Sequence, residues 1–395
     1  MPEGLRVFFK KISFRPLVVS LIVIYALYLR FQVLAGRDLW NDEVFQLRHT
    51  VGAFKPFWQR FSYGDMTCFP GDYLLTYPFV VVFNDNKWGM AIPHMLATAL
   101  GFYFLYKICQ KYYRTIWGFV VAFLIVSFNQ HLIFHSFELR PYAVLPTLAL
   151  LSMYFADMLV NRFEELGQGK KAAIGALFVG MIWFHALGIL IVFFPLLYFL
   201  LVKKGETKGG KTVGDILKFL SIVFLIAMPV WAWYALGNPL GESKAVFQAK
   251  GVHSFSFMMN PLDNFGTFYN YIISYHLIGY KRFYFLLGAF ALIVFVPYGE
   301  KMKKIGFFLV MIVLPIMTIL VASLFQGYWF LMRHYVYTMP LFAFFLGWLW
   351  DSSLHYYLEK PEKRFSFPTV IGFALMVICA AMGTGSIVLH ALNLI

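Results

Sequence analysis

The residues best equipped for chemistry follow the first apolar run and read Gly36-Arg37-Asp38-Leu39-Trp40-Asn41-Asp42-Glu43-Val44-Phe45-Gln46-Leu47-Arg48-His49. Asp42 and Glu43 are an adjacent carboxylate pair beside a membrane segment, where ionisable groups are costly and invite a functional reading. A carboxylate aimed from a membrane surface into a cavity among helices can act as a general base, and Asp42 fits that role. Neighbouring residues point about 100° apart around a helix, so one acid acts while the other orients a partner or helps hold a cation. The same residues also satisfy a purely structural account. Asn41 is a good helix N-cap, Asp42 and Glu43 fill a first turn where acids gain ~0.3–1 kcal/mol from the helix dipole, and Val44, Leu47 and Val51 share one side.

The elements that must position this pair are membrane helices. Of 395 residues, 61% are hydrophobic, 20% aromatic and 13% charged, with a mean hydropathy of +0.70. Soluble domains carry roughly 25% charged residues, so a soluble globular protein is excluded. The uncharged runs from Trp88 to Tyr106, Thr115 to Phe137, Phe219 to Leu236, Ile305 to Arg333 and Phe365 to Ile395 mostly approach or exceed the ~20 residues of a spanning helix. They lack the alternation of a transmembrane barrel. The expected fold is all-α and polytopic, one transmembrane domain over residues 1–395 with no separate soluble domain. A net charge of +14 would suggest nucleic acid in a soluble protein, but here the basic residues sit in short loops and read as topology signals. Cys68, Cys109 and Cys379 form neither a disulfide framework nor a metal-ligand spacing.

Charge fixes the expected topology. Arg6, Lys10, Lys11 and Arg15 precede a first span that reads as uncleaved, with Arg30 near its end expected to snorkel to the interface. The segment Pro70 to Asn84 is short and contains Asp72 and Pro78. Held at the outer surface as an interfacial helix, it leaves 21 Lys and Arg on the cytoplasmic side against 12 outside; as a span it leaves 11 against 22. The first arrangement obeys the positive-inside rule. It requires Ala172 to Val202 to be two short helices broken near His185-Ala186-Leu187-Gly188. About eleven spans result, with the N-terminus inside and interfacial helices in the first outer loop. Three outer segments stand out, at Gly36 to Lys87, Phe137 to Tyr142 and Gly237 to Arg282. Asp72 reads as the cap of its helix, and His253 and His276 show no ligand spacing.

Against this background the chain resembles a known family. Trp40-Asn41-Asp42-Glu43-Val44 after the first span looks like the opening of the protein O-mannosyltransferase superfamily of membrane glycosyltransferases, the GT-C fold. Phe134-His135-Ser136-Phe137-Glu138-Leu139-Arg140-Pro141-Tyr142-Ala143 is similar to the second outer-loop motif of bacterial members, and Met332-Arg333-His334-Tyr335-Val336-Tyr337-Thr338-Met339-Pro340 to their late Arg-aromatic segment. Two positions depart from the pattern. Cys68-Phe69-Pro70-Gly71-Asp72-Tyr73 stands where many members have Pro-Pro-Leu-Tyr, and Ile92-Pro93-His94 stands where an Arg is common. The large lumenal insert of the eukaryotic enzymes is absent.

The resemblance implies an inverting glycosyltransferase that takes a sugar from a polyprenyl-phosphate donor to an acceptor hydroxyl on the outer, periplasmic face. Such a donor carries a good leaving group, so the enzyme must deprotonate the acceptor and neutralise phosphate charge. Asp42 and Glu43 are then the expected catalytic pair. Arg140 and Arg333, with Tyr335, Lys281 and Arg282, are the expected donor-phosphate residues, since Arg can grip phosphate in a bidentate fork. Each of these cations has the alternative role of an interface anchor. Glu138, Tyr142 and His185 are expected to organise substrate or a cation. A divalent cation is a possible cofactor, because carboxylate oxygens suit hard ions, and metal dependence stays open. The partners expected are the lipid-linked donor, an acceptor that is a glycan, lipid or protein, and membrane lipids, without nucleic acid.

A transporter or flippase of lipid-linked glycans is the competing reading, and a non-catalytic scaffold a third. Transporters keep ionisable groups near the bilayer midplane, whereas Asp42, Glu43, Glu138, Arg140 and Arg333 fall at one face. Short loops and bacterial-like motifs favour a bacterial inner membrane. Sugar and acceptor identity are not encoded in these motifs.

Overall fold

The structure, a computed structural model, describes residues 14–40, 43–44, 46–47, 50, 70–83, 86–137, 139–206, 210–236, 298–326 and 332–359. Among these residues every regular element is helical. In chain order they are α1 (Phe14–Ala35), α2 (Pro70–Val82), α3 (Lys87–Tyr112), α4 (Ile116–Phe128), α5 (Gln130–Phe137), α6 (Leu145–Asn161), α7 (Gln168–Phe184), α8 (Gly188–Glu206), α9 (Gly210–Leu236), α10 (Tyr298–Phe308), α11 (Leu314–Gln326) and α12 (Thr338–Glu359). Short 3-10 turns cover Pro141–Ala143 and Met332–Tyr335. Helical backbone also occurs at 43, 44, 46, 47 and 50.

Three stretches are long and apolar enough to cross a membrane: Lys87–Tyr112, Thr212–Val230 and Met302–Ile319. Shorter apolar helices occupy Pro16–Gln32, Ile116–Phe128, Leu145–Asn161 and Gly188–Lys203. The chain is thus an integral membrane protein built of helices. The last expected run, Phe365 to Ile395, lies outside the described residues.

Helix faces divide as a bilayer requires. On α1, Leu17, Leu21, Ile24, Tyr28 and Phe31 are exposed at alternating spacings of four and three, while Val19, Ala26, Leu29 and Leu34 are buried. Inside the bundle lipid offers no hydrophobic drive, so close packing and small residues must hold the helices together. Gly118 of α4 and Gly347 of α12 supply it. A Cβ on Gly347 would sit 2.6 Å from the Gly118 carbonyl oxygen and 2.5 Å from the Tyr113 hydroxyl, which itself donates to the Phe344 carbonyl at 2.5 Å.

Two long apolar runs are each divided into two helices. The expected break after α7 is present: Gly188 donates its N–H to the His185 carbonyl at 2.7 Å, and a Cβ there would lie 2.0 Å from the Met181 carbonyl oxygen. The run Thr115 to Phe137 is also broken, at Asn129, which is extended and whose Oδ1 accepts the Leu132 N–H at 3.0 Å. A π-helical turn at Leu309–Val313 joins α10 to α11, just before Pro315, which lacks an N–H to continue the α ladder.

Arg30 differs from the sequence expectation. It does not snorkel outward but is buried at 3% exposure, bonded to the carbonyls of Ala26, Val126 and Ser127. The last carbonyls of α4 have no intrahelical partner, and an inward guanidinium fills them with charge of the right sign for a helix C-terminus.

Candidate active site

Glu43 anchors the site. Its carboxylate is fully buried, and Arg37 grips it bidentately, Nη1 to Oε2 at 2.8 Å and Nη2 to Oε1 at 2.6 Å. Two backbone N–H groups complete the set, from Trp40 at 3.1 Å and from Leu139 at 2.8 Å. With four donors on two oxygens, Glu43 is an occupied acceptor that fixes geometry. The Leu139 bond crosses 96 residues and ties the first-loop segment to the segment between α5 and α6. Lys87, at the start of α3, adds a second tie through the carbonyls of Leu34, Ala35 and Arg37, the last at 2.7 Å. Sequence reasoning did not single out Arg37 and Lys87. Their signal was position, a basic residue at each end of the first long loop.

Asp42, Glu138, Lys281 and Arg282 lie outside the described residues, as does the side chain of Arg333, whose backbone belongs to the Met332–Tyr335 turn.

The second part of the site centres on Tyr142, which is 3% exposed. Its ring lies 5.5 Å from that of His185, 6.0 Å from His334 and 6.5 Å from His135. Three separate places in the sequence converge on it: the end of α5, the break between α7 and α8, and the turn before α12. His185 is held by the Leu187 N–H, which donates to Nδ1 at 3.0 Å. Arg140 is buried at 6% exposure, two residues before Tyr142. Tyr335 follows His334 and is buried at 1%, with Tyr337 beside it, and burial holds its phenol well above the usual tyrosine range. Of the expected site residues, Arg140, Tyr142, His185 and Tyr335 are thus brought into one buried aromatic and basic end of the bundle. His334 and His135 belong with them and were missed, because a lone histidine beside a helix end carries no signal until its neighbours are known. Among the described residues no three His, Cys, Asp or Glu side chains are grouped to hold a metal ion.

A third cluster lies one helical turn beyond Glu43. Gln46 donates through Nε2 to Asp72 Oδ2, and His94 Nε2 lies 2.9 Å from Asp72 Oδ1. Asp72 and His94 have no exposed surface and Gln46 only 1%. The Asp72 carboxylate therefore does not cap α2 but joins the first-loop helical segment, α2 and α3. Gly71 lets this happen at close quarters with α7, since a Cβ there would lie 2.4 Å from the Phe184 Cα.

Residues 70–233 match the family described as dolichyl-phosphate-mannose-protein mannosyltransferase. The match supports membership of the protein O-mannosyltransferase-like superfamily of membrane glycosyltransferases. No curated protein and no solved structure matches the chain. The matched segment includes Asp72, His94, Arg140, Tyr142 and His185, while Glu43 precedes it and Tyr335 follows it. The two departures from the mannosyltransferase pattern noted in the sequence, Asp72 and His94, are in contact with each other. Each accounts for the other. A buried histidine needs an acceptor and a buried carboxylate needs donors.

Proposed function

We propose that the chain is an inverting glycosyltransferase that moves a sugar from a polyprenyl-phosphate donor to an acceptor hydroxyl at the outer, periplasmic face of a bacterial inner membrane. The family match supports a membrane glycosyltransferase using a lipid-linked sugar. The observation that carries the finer reading is the bond from the Leu139 N–H to the Glu43 carboxylate, which joins the acidic-pair segment to the segment bearing Arg140 and Tyr142. Asp42 takes the proton of the acceptor hydroxyl as its oxygen bonds to the sugar C1. The bond from C1 to the phosphate oxygen breaks on the opposite side, the anomeric centre inverts, and polyprenyl phosphate leaves. Arg140, Arg333, Lys281 and Arg282 offset the phosphate charge, and Tyr142, His185 and Tyr335 shape the sugar pocket. Glu138 and Asp42 are the carboxylates available to a divalent cation should one take part.

The test is sugar transfer from a synthetic polyprenyl-phosphate hexose by purified protein in lipid, with products read by mass spectrometry. Wild type consumes the donor and inverts the anomeric centre, and folded Asp42→Asn loses about 10²-fold or more of turnover, the size expected of a positioned base. Unchanged turnover in Asp42→Asn removes the base assignment. Absence of donor consumption by wild type, with vectorial movement of intact lipid-linked glycan instead, makes the chain a transporter.

A further inference from the structure

Lys87 opens α3, where a cation opposes the dipole of its own helix. Its ammonium turns back instead to the end of α1. It donates to the carbonyls of Leu34 at 3.2 Å, Ala35 at 3.3 Å and Arg37 at 2.7 Å. Positive charge suits the last carbonyls of α1, which have no partner within that helix. An ammonium has three N–H donors, and these three carbonyls take all of them. Lys87 is thereby committed to the protein backbone and not to a lipid headgroup or a donor phosphate.

The corner that carries Lys87 is fixed on three sides. Asn86 caps α3, its Oδ1 accepting the Trp88 and Gly89 N–H groups at 2.9 and 3.3 Å. A Cβ on Gly89 would lie 2.7 Å from the Val80 Cα, so α2 packs directly against the turn. The Trp88 ring stacks on that of Phe31 of α1, with centroids 5.5 Å apart. From this rigid support the shortest Lys87 bond reaches the Arg37 carbonyl. The guanidinium of the same Arg37 holds both Glu43 oxygens and the Asp38 carbonyl, and Glu43 Oε1 accepts the Leu139 N–H. A shift of the Arg37 backbone is therefore passed on to Glu43, the residue after Asp42, and to the segment that leads into Arg140.

We infer that Lys87 is a positioning residue for sugar transfer: it holds the Arg37 backbone and, through Arg37 and Glu43, sets the acidic pair relative to the segment bearing Arg140. The inference rests on the glycosyltransferase reading and adds to it a cation that touches no substrate. As a plain cap of α1, Lys87 would contribute to folding alone. Lys203 supplies the comparison, for it bonds the Val160 carbonyl at the end of α6 remote from Tyr142.

Turnover of the synthetic polyprenyl-phosphate hexose is measured on the full chain in nanodiscs for wild type, Lys87→Met, Lys87→Arg, Arg37→Met, Lys87→Met combined with Arg37→Met, and Lys203→Met. Thermal unfolding and amide hydrogen exchange are followed on the same proteins without substrate. In Lys87→Met kcat falls roughly 10- to 100-fold, the scale of a misplacement by about 1 Å, while donor KM changes less than about three-fold. Lys87→Arg, which keeps the charge and the donors, recovers most of that loss. The double variant is about as slow as Arg37→Met alone, because both changes act through one guanidinium. Exchange in Lys87→Met quickens at Trp40 and Leu139, whose N–H groups donate to Glu43. Lys203→Met lowers the unfolding temperature and leaves kcat unchanged. Where Lys87→Met does not fold, Lys87→Gln, which keeps two donors without the charge, is read in the same way. Lowered stability with wild-type kcat makes Lys87 a cap and overturns the inference, as do kcat losses that multiply in the double variant or unchanged exchange at Leu139. If wild type turns over no donor, the glycosyltransferase reading falls and this inference with it, whereas wild-type turnover that the Lys87 variants retain removes this inference alone.

Discussion

Glu43 shows how a residue with a chemical look can do its work by position. Its oxygens receive Arg37, Trp40 and Leu139, so Glu43→Gln replaces an acceptor by an amide whose NH₂ must face existing donors. Breaking a buried pair costs ~3–5 kcal/mol, and we expect a large fall in unfolding temperature together with lost transfer. Arg37 is partly exposed and two backbone donors remain without it, so Arg37→Met should be milder. Unfolding temperatures in micelles rank the two, and a Glu43→Gln protein as stable as wild type would remove the clamp from the account. Asp72 and His94 call for a double-mutant cycle. Asp72→Leu and His94→Phe alone each strand a buried polar partner, whereas the double variant strands only Gln46, so a coupling of ~1–3 kcal/mol is expected. Because Gln46 is a turn beyond Glu43, the single changes should also lower kcat for transfer while donor KM holds. Additive stability losses, with kcat untouched, would reduce the trio to ordinary packing. Neither residue announced this pairing, for 22 positions separate them, Asp72 alone reads as a helix cap, and His94 stands out only as a departure from the family pattern.

At the scale of elements, the sequence was most readable where backbone and composition agree. The break at His185 to Gly188 follows from the charge count, which requires the apolar stretch Ala172 to Val202 to be two short helices, and the structure has there a glycine where no Cβ fits. The break at Asn129 was not readable, because Thr115 to Phe137 is uncharged throughout and only the Asn129 side chain, capping Leu132, stops the helix. Arg30 was misjudged for a related reason: its direction depends on carbonyls of α4 almost a hundred residues away. Helix contacts give a sharper test than helix boundaries. Gly347→Val places new methyl groups against the Gly118 carbonyl and the Tyr113 hydroxyl, both rigidly held, and overpacking of this kind costs typically 1–3 kcal/mol. The equivalent change at Gly180, where a Cβ would meet nothing within 4 Å, should cost much less. Comparing the two unfolding temperatures decides whether the α4–α12 approach is as close as the geometry requires.

For the whole molecule, the remaining issue is which end faces which compartment, and the bundle turns a charge argument into a geometric one. Glu43 bonds Leu139, Tyr142 packs on His185, and Arg37 grips Glu43, so Arg37 belongs to the end at which α7 finishes. Lys170 begins the same helix, and 17 residues at 1.5 Å each separate the two ends by about 25 Å. Arg37 and Lys170 therefore sit at opposite ends of the bundle, which is the arrangement produced when Pro70 to Asn84 stays at the surface. Were that segment a span, the two residues would share a side, because α3 would start from the other face. Single cysteines placed at Arg37 and Lys170 in a background with Cys68, Cys109 and Cys379 replaced can be probed with a membrane-impermeant maleimide. Position 37 should react from outside intact cells and position 170 only after the membrane is opened, since the Lys/Arg excess falls on the 170 side. Labelling of both from outside would make the 13-residue α2 a true span, reverse the later loops, and move the Tyr142 cluster away from the face on which the acidic pair begins.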